Sequence, residues 1–354
     1  MDTDELVKAA AAWMADDPDP ATRAEIQALL DADDAAGLAE RFAERLQFGT
    51  AGLRGKLGAG PNRMNRALIR RAAAGLARWL HAVHTDRAGV VIGFDARHQS
   101  REFALDTAAV VAGAGLHAYV LPRPLPTPLL AYATRHLNAD AGVMVTASHN
   151  PAQYNGYKVY LGDGAQVFPP HDALIAAAAE ESAVPTDQEL SRGTGGRLLD
   201  VDDKALLAAY RCAVLKAVRP DGPRRLRAVY TPVHGVGGAV LPRLFEEAGF
   251  DPPALVASQA QPDPDFPTAP FPNPEEPGVL DLALAEGERV GADLVLANDP
   301  DADRLAIAVP CPTVTGPPGG TFRALSGDEL GVLLADHLIS ATTGADRLVA
   351  TTVV

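Results

Sequence analysis

The sequence holds only two cysteines, Cys212 and Cys311, too few and too far apart for a disulfide scaffold or a zinc site. That scarcity points to a reducing compartment. No apolar run approaches the roughly 18 residues of a membrane span, and the opening MDTDEL is acidic where a secretory leader would be basic. The expectation is a soluble cytoplasmic protein with no membrane partner. Basic residues are in deficit too: 31 Lys and Arg stand against 45 Asp and Glu, a net charge of −14, which argues against nucleic acid as a partner. The deficit is uneven, because Arg54 to Arg71 carries six basic residues and no acidic one. A small anionic substrate is compatible with that stretch.

What is present is ordinary globular material, 47% hydrophobic and 21% charged, over 354 residues, a length that predicts two or more domains. Asp19 with Pro20 opens a helix whose face is Ile26, Leu29 and Leu30, and Leu68, Ala72, Leu76 and Leu80 mark a second over Arg66 to Val83. Both read as amphipathic surface helices. Apolar runs at Gly89 to Phe94, His117 to Leu121 and Ala141 to Val145 then alternate with helical stretches at Arg101 to Gly113 and Pro128 to Arg135. This order predicts an α/β fold, a layered αβα domain with a mixed sheet. The small polar stretch Val184 to Gly196 reads as a connection, so the first domain is set at 1–195 and a second of the same class at 196–315. In the second, a helix is expected at Asp202 to Val214, runs at Leu226 to Tyr230 and Asp293 to Ala297, and a loop at Gln261 to Pro277, which has seven prolines in 17 residues. Ser326 and Glu329 have capping-box spacing before the helix Leu330 to Ile339, and the β-branched run Leu348 to Val354 stops without a polar tail, as a truncated strand would.

Three segments carry chemistry. TASHNP, Thr146 to Pro151, follows an apolar run and lifts the Ser148 hydroxyl out at a sheet edge, beside His149 and Asn150, with Lys158 ten residues on. The serine is a nucleophile or phosphate carrier, or it caps a turn before Pro151. Flanking glycines of a nucleophile elbow are absent, which disfavours a serine hydrolase. NDPDADR, Asn298 to Arg304, places Asp299, Asp301 and Asp303 at alternate positions, on one side of an extended chain, where like charges repel unless a cation binds. Magnesium suits such oxygen donors, and a calcium loop fails because Arg304 and Pro310 stand where Gly and Glu are needed. FGTAGLRG, Phe48 to Gly55, lets the backbone approach a ligand while Arg54 offers a forked donor for phosphate. HGVGG, His234 to Gly238, imitates a dinucleotide fingerprint, but Val240 fills the last Gly position, and close strand-to-helix packing explains it better.

In this order the three segments resemble the α-D-phosphohexomutase family, the phosphoglucomutases and phosphomannomutases, and look most like its phosphoglucomutase-2 and phosphopentomutase branch. FGTAGLRG matches the family's arginine loop, TASHNPAQYNGYKVY its phosphoserine loop, and NDPDADR its metal loop, with Pro300 and Ala302 where many members carry Gly. The resemblance implies an isomerase that moves a phosphoryl group between a phosphoserine and a sugar phosphate through a sugar bisphosphate, which also serves as activator. It implies Ser148 as that phosphoserine and magnesium held by Asp299, Asp301 and Asp303 with the Ser148 seryl phosphate. Arg54 and Lys158 would steady the transferring group, His149 would assist proton transfer or donate a hydrogen bond, and Arg304 and Asn150 would face the substrate. The sugar is a hexose, glucose or mannose, or a pentose. A site shared by residues about 150 positions apart is expected to lie between the two domains.

The family has four domains, with a GEXSG-like sugar loop in the third and an SGTEP-like phosphate loop in the fourth, and neither string occurs here. LSGDELGVLLADHL resembles the opening of the third domain, so 316–354 is expected to begin it, with the fourth absent. One alternative is a truncated phosphosugar-binding fragment without turnover. The other is a haloacid-dehalogenase-type phosphatase using Asp299 and Asp301. That chemistry needs a downstream lysine, and the 51 residues after Asp303 contain none.

Overall fold

A computed structural model describes residues 1–49, 52–83, 89–192, 196–311, 321–343 and 349. Three helices, α1 (Thr3–Asp16), α2 (Pro20–Asp31) and α3 (Ala35–Phe42), open the chain and enclose a small core of Leu6, Ile26, Leu38 and Phe42. Asp2 and Glu5 close a reciprocal capping box on α1, and Asp19 caps α2 with Pro20 in its first turn.

The first sheet is mixed, as expected. Its six strands are β1 (Leu53–Lys56), β2 (Gly89–Phe94), β3 (His117–Val120), β4 (Ala141–Val145), β5 (Tyr154–Leu161) and β6 (Arg197–Asp200), in the order β1-β5-β4-β2-β3-β6. β2 and β4 are buried along their whole length, which is why they read as unbroken apolar runs and pair in parallel. β5 turns the sheet antiparallel, pairing with β4 on one side and β1 on the other, so Met144 lies opposite Lys158 and Arg54 opposite Gly156. Covering it are α4 (Arg66–Val83), α5 (Ser100–Gly113), α6 (Thr127–His136), α7 (His171–Glu180) and α8 (Asp187–Arg192). The helix α4 is not a surface helix. Ten of its residues are buried, because its Ala and Gly positions admit close neighbours: a Cβ on Gly75 would come within 2.5 Å of the Ala179 nitrogen of α7.

The second sheet orders β11-β10-β9-β7-β8 from β7 (Ala228–Thr231), β8 (Ala254–Leu255), β9 (Leu294–Asn298), β10 (Leu305–Pro310) and β11 (Phe322–Ala324), again mixed. Its helices are α9 (Asp203–Leu215), α10 (Leu241–Glu247) and α11 (Asp281–Val290), and α12 (Gly327–Ala341) follows the Ser326–Glu329 capping box. Two boundaries differ from expectation for one reason, strand pairing that composition does not reveal. Arg197–Asp200 pairs with β3 in the first sheet, beyond residue 195, and Phe322–Ala324 pairs with β10 in the second, beyond residue 315. The strand expected at Leu348 to Val354 lies outside the described residues, Val349 apart.

Candidate active site

β4 ends at Val145, and the chain then turns through Ser148, whose backbone is left-handed at φ 52°. An L-residue holds that conformation at a cost and needs partners to keep it there. Thr146 Oγ1 accepts from the Ser148 N–H at 2.8 Å and donates to Asp95 at 2.7 Å. Asp95, just past β2, also accepts from Ser100 Oγ and the Arg97 N–H. Arg97 supplies the larger restraint: its guanidinium donates to the carbonyls of Ser148 (2.7 Å), Asn150, Pro151 (2.9 Å) and Tyr154 (3.2 Å). Desolvation pushes the Asp95 pKa up and the Arg97 pKa down, the expense of seating this pair in the interior.

The acidic segment is a turn between β9 and β10, not extended chain. The Ala302 N–H bonds the Asp299 carbonyl at 2.9 Å and Ala302 sits at φ 54°, so the carboxylates converge by curling. Oxygens of Asp299, Asp301 and Asp303 lie within 4.8 Å of one another. HGVGG packs a short 3-10 helix closely against β7, where a Cβ on Gly237 would come within 2.3 Å of the Tyr230 hydroxyl, and it also buttresses this turn. The Val236 N–H bonds the Pro300 carbonyl at 2.9 Å, and a Cβ on Gly235 would come within 2.4 Å of the Pro300 Cα.

The two loops meet between the sheets. Ser148 Oγ donates to Asp299 Oδ2 at 2.7 Å, Thr127 donates to Asp301 through its hydroxyl (2.6 Å) and its N–H (2.9 Å), and Lys158 Nζ bridges Asp301 (2.9 Å) and Asp303 (2.7 Å). Burial and the neighbouring carboxylates raise the Asp299 pKa well above the usual range. Burial would raise Asp301 too, but the Lys158 ammonium and the donated hydrogen bonds outweigh it and hold that carboxyl low. Lys158 shows the mirror image: desolvation opposes its charge and the two aspartates more than restore it. One atom is left over. Asp301 Oδ1 is buried with no hydrogen-bond partner among the described residues, so this oxygen-only cluster fits a hard divalent cation.

The remaining expected residues stand around this junction. Arg54 NH1 donates to Asn150 Oδ1 at 3.0 Å, so Asn150 holds Arg54. His149 Nδ1 lies 3.2 Å from Ser148 Oγ, and burial, with Arg304 and Arg54 nearby, lowers its pKa to about 4. Arg304 is exposed beside the acidic turn, and its N–H bonds Asp299 Oδ1 at 3.0 Å. The proline-rich segment 261–277 is more than a surface loop. Phe266, 2% exposed, stacks over the Arg97 guanidinium at 4.8 Å and Phe271 meets the His149 ring edge-on at 5.9 Å. Sequence reasoning missed Asp95, Arg97 and Thr127 and the supporting role of Thr146. For Asp95 and Arg97 the available signal was GFDARHQS, a polar cluster at the end of a buried strand.

Comparison with known proteins agrees with this geometry. Residues 45–184 match the model of phosphoglucomutase/phosphomannomutase α/β/α domain I, and residues 208–312 that of domain II. The chain belongs to the phosphoglucomutase/phosphomannomutase family. Among similar family members are the phosphopentomutase of Mus musculus, 39% identical over 94% of this chain and 55% of its own length, and the phosphoribomutase of Saccharomyces cerevisiae, 38% identical over 91% and 54%. The phosphoglucomutase of Staphylococcus aureus (strain MRSA252) is 36% identical over 86% and 54%. The chain thus spans about half the length of these curated relatives. A crystal structure of a phosphoglucomutase/phosphomannomutase family protein from Burkholderia thailandensis shares the fold, with a TM-score of 0.66 at 21% identity over 84% of this chain and 59% of that one. Among the described residues no helix is long and apolar enough to cross a membrane.

Proposed function

We propose that the chain carries the phosphoryl-transfer half of a phosphosugar mutase, with Ser148 as the residue that holds the phosphoryl group. The observation that carries this reading is Ser148 Oγ, held in a left-handed turn 2.7 Å from an aspartate of a convergent acidic triad. Asp299, Asp301 and Asp303, with the Ser148 phosphate, would hold magnesium, which neutralises charge on the transferring group. The chain's own residues do the rest. Arg54, steadied by Asn150, and Lys158 place cationic donors beside the phosphoryl oxygens, and Arg304 faces the sugar phosphate. A sugar hydroxyl oxygen bonds to phosphorus as the bond to Ser148 Oγ breaks, yielding a sugar bisphosphate. In a loose transition state the attacking oxygen has gained little bond order, so its proton leaves late and a weak base suffices. His149, at about 4 and with Nδ1 3.2 Å from Ser148 Oγ, fits that role in the direction where the serine is the attacking oxygen. In the other direction it returns a proton to the departing serine while the sugar's proton passes to solvent.

The substrate class is a hexose or pentose 1-phosphate, with the corresponding bisphosphate as activator. The names of the relatives, phosphopentomutase, phosphoribomutase and phosphoglucomutase, support that range. A cytoplasmic location belongs to the same reading, supported by a sequence with only two cysteines, Cys212 and Cys311, too few for a disulfide scaffold. The test is a chase. Chain labelled at Ser148 with a sugar bisphosphate is mixed with magnesium and glucose, mannose or ribose 1-phosphate. Label should move to one of the three sugars, and label that stays on the protein with all of them would refute the assignment.

A further inference from the structure

Behind the first sheet, apart from Ser148, lies a second site. A cavity of about 370 Å³ opens between the amino-terminal helices, α4 and α7, with Trp13, Leu46, Phe48 and Leu68 among its walls. Leu53 of β1 also lines it, and the next residue, Arg54, reaches Asn150 at the phosphoryl-transfer site. Neighbouring strand residues face opposite sides, so the two sites sit back to back.

The polar contents of the cavity are unusual. Of the arginines on α4, Arg66 is paired with Asp106, and Arg70 with Asp106 and Asp187. Arg71 has no such partner among the described residues, and its Nε is enclosed without a hydrogen bond. Burial, aided by Arg45, lowers its pKa, so the protein bears a cost to keep a cation there. A cavity of ligand size with apolar and aromatic walls and one unsatisfied buried donor is the usual form of a small-molecule site. Charge narrows the class. Arg45 and Arg71 face Glu180, exposed at the rim, while Asp16, whose charge acts on Arg71, and Glu44 flank the adjoining opening. There is thus no surplus of positive charge for a dianion, and the enclosed Arg71 Nε is a donor left for a singly charged group.

We propose that this cavity binds an organic monocarboxylate with an apolar body, its carboxylate on the Arg71 fork and its body against Trp13, Leu46, Phe48 and Leu68. Arg–carboxylate pairing is bidentate, and because Arg71 is only half-buried the apolar walls supply much of the affinity.

The test titrates the 354-residue chain with octanoate and with 3-phenylpropanoate, by calorimetry and by fluorescence of Trp13, using Trp13→Phe as the optical control. One saturable site per chain is expected, with the preferred acid reporting an aliphatic or an aromatic body. Arg71→Met, which keeps the apolar stem, should weaken binding on the order of tenfold or more. Octan-1-ol should bind weakly, with no difference between parent and Arg71→Met. Ala176→Phe, reaching into the cavity from α7, should abolish binding while a thermal melt shows the fold intact. Saturable binding of neither acid, or unchanged affinity in both variants, overturns the proposal. Displacement by saturating glucose 1-phosphate would place the acid at Ser148 and overturn it too, whereas failure of the phosphosugar reading leaves these results unaffected.

Discussion

Ser148, His149 and Asp301 carry the argument at the scale of single residues, and each makes its environment measurable. His149 is held by burial and by two arginines at about 4, below its ordinary value near 6.5. A depressed histidine adds stability that is complete above pH 6.5 and is lost as pH falls toward 4, because the unfolded chain takes up the proton first. The ring should therefore be neutral throughout the physiological range. A histidine-resolved NMR titration should give a midpoint near 4, and a midpoint at 6.5 or above would remove the weak-base role. Asp301 offers a second test. Its Oδ2 accepts from Thr127 and Lys158 while Oδ1 stands unpaired, so Asp301→Asn keeps most of the packing and removes the charge a cation needs. Magnesium affinity should fall on the order of tenfold or more, and stability by up to about 3–5 kcal/mol because Lys158 loses one of its two buried partners. Calorimetry beside a denaturant melt separates the two, and equal magnesium affinity in variant and parent would make the cluster structural.

Among elements, the loop after β4 depends on a residue in the loop after β2. Arg97 ties four carbonyls of the 148–154 segment and shares Asp95 with Thr146, so the strained serine is fixed from a neighbouring strand. Arg97→Met leaves those carbonyls and Asp95 without their buried cation and should cost about 3–5 kcal/mol in a denaturant melt. A loss below about 1 kcal/mol would mean that the loop holds itself. The central strands were legible in the sequence: Gly89–Phe94 and Ala141–Val145 are β2 and β4 to the residue, because strands covered on both faces must be continuously apolar. β5 was not legible as a strand, since YNGYKVYL takes its place by pairing on both sides and not by pattern. Likewise Arg66 to Val83 shows a helical period without revealing that Gly75 lets α7 close over it.

Across the whole molecule, the net charge of −14 sits beside a site that gathers Arg54, Lys158, Arg97 and Arg304 near one acidic triad. Ser148 and the three aspartates stood out in the sequence because polar clusters interrupt apolar runs there, whereas the role expected of Lys158 came from the family resemblance. The residues that place them could not be named from it. Thr127 and Asp301 are 174 positions apart, and Phe266 reaches Arg97 from a proline-rich segment without regular structure, so only the folded chain brings them together. The central claim is that this convergence serves one atom, Ser148 Oγ. The most direct measurement is intact mass and peptide mapping after incubating the chain with magnesium and glucose 1,6-bisphosphate. One phosphate on the peptide containing Ser148, absent from Ser148→Ala and lost on adding a chelator before the bisphosphate, is the predicted result. Phosphate on another residue, or retained in Ser148→Ala, would contradict it.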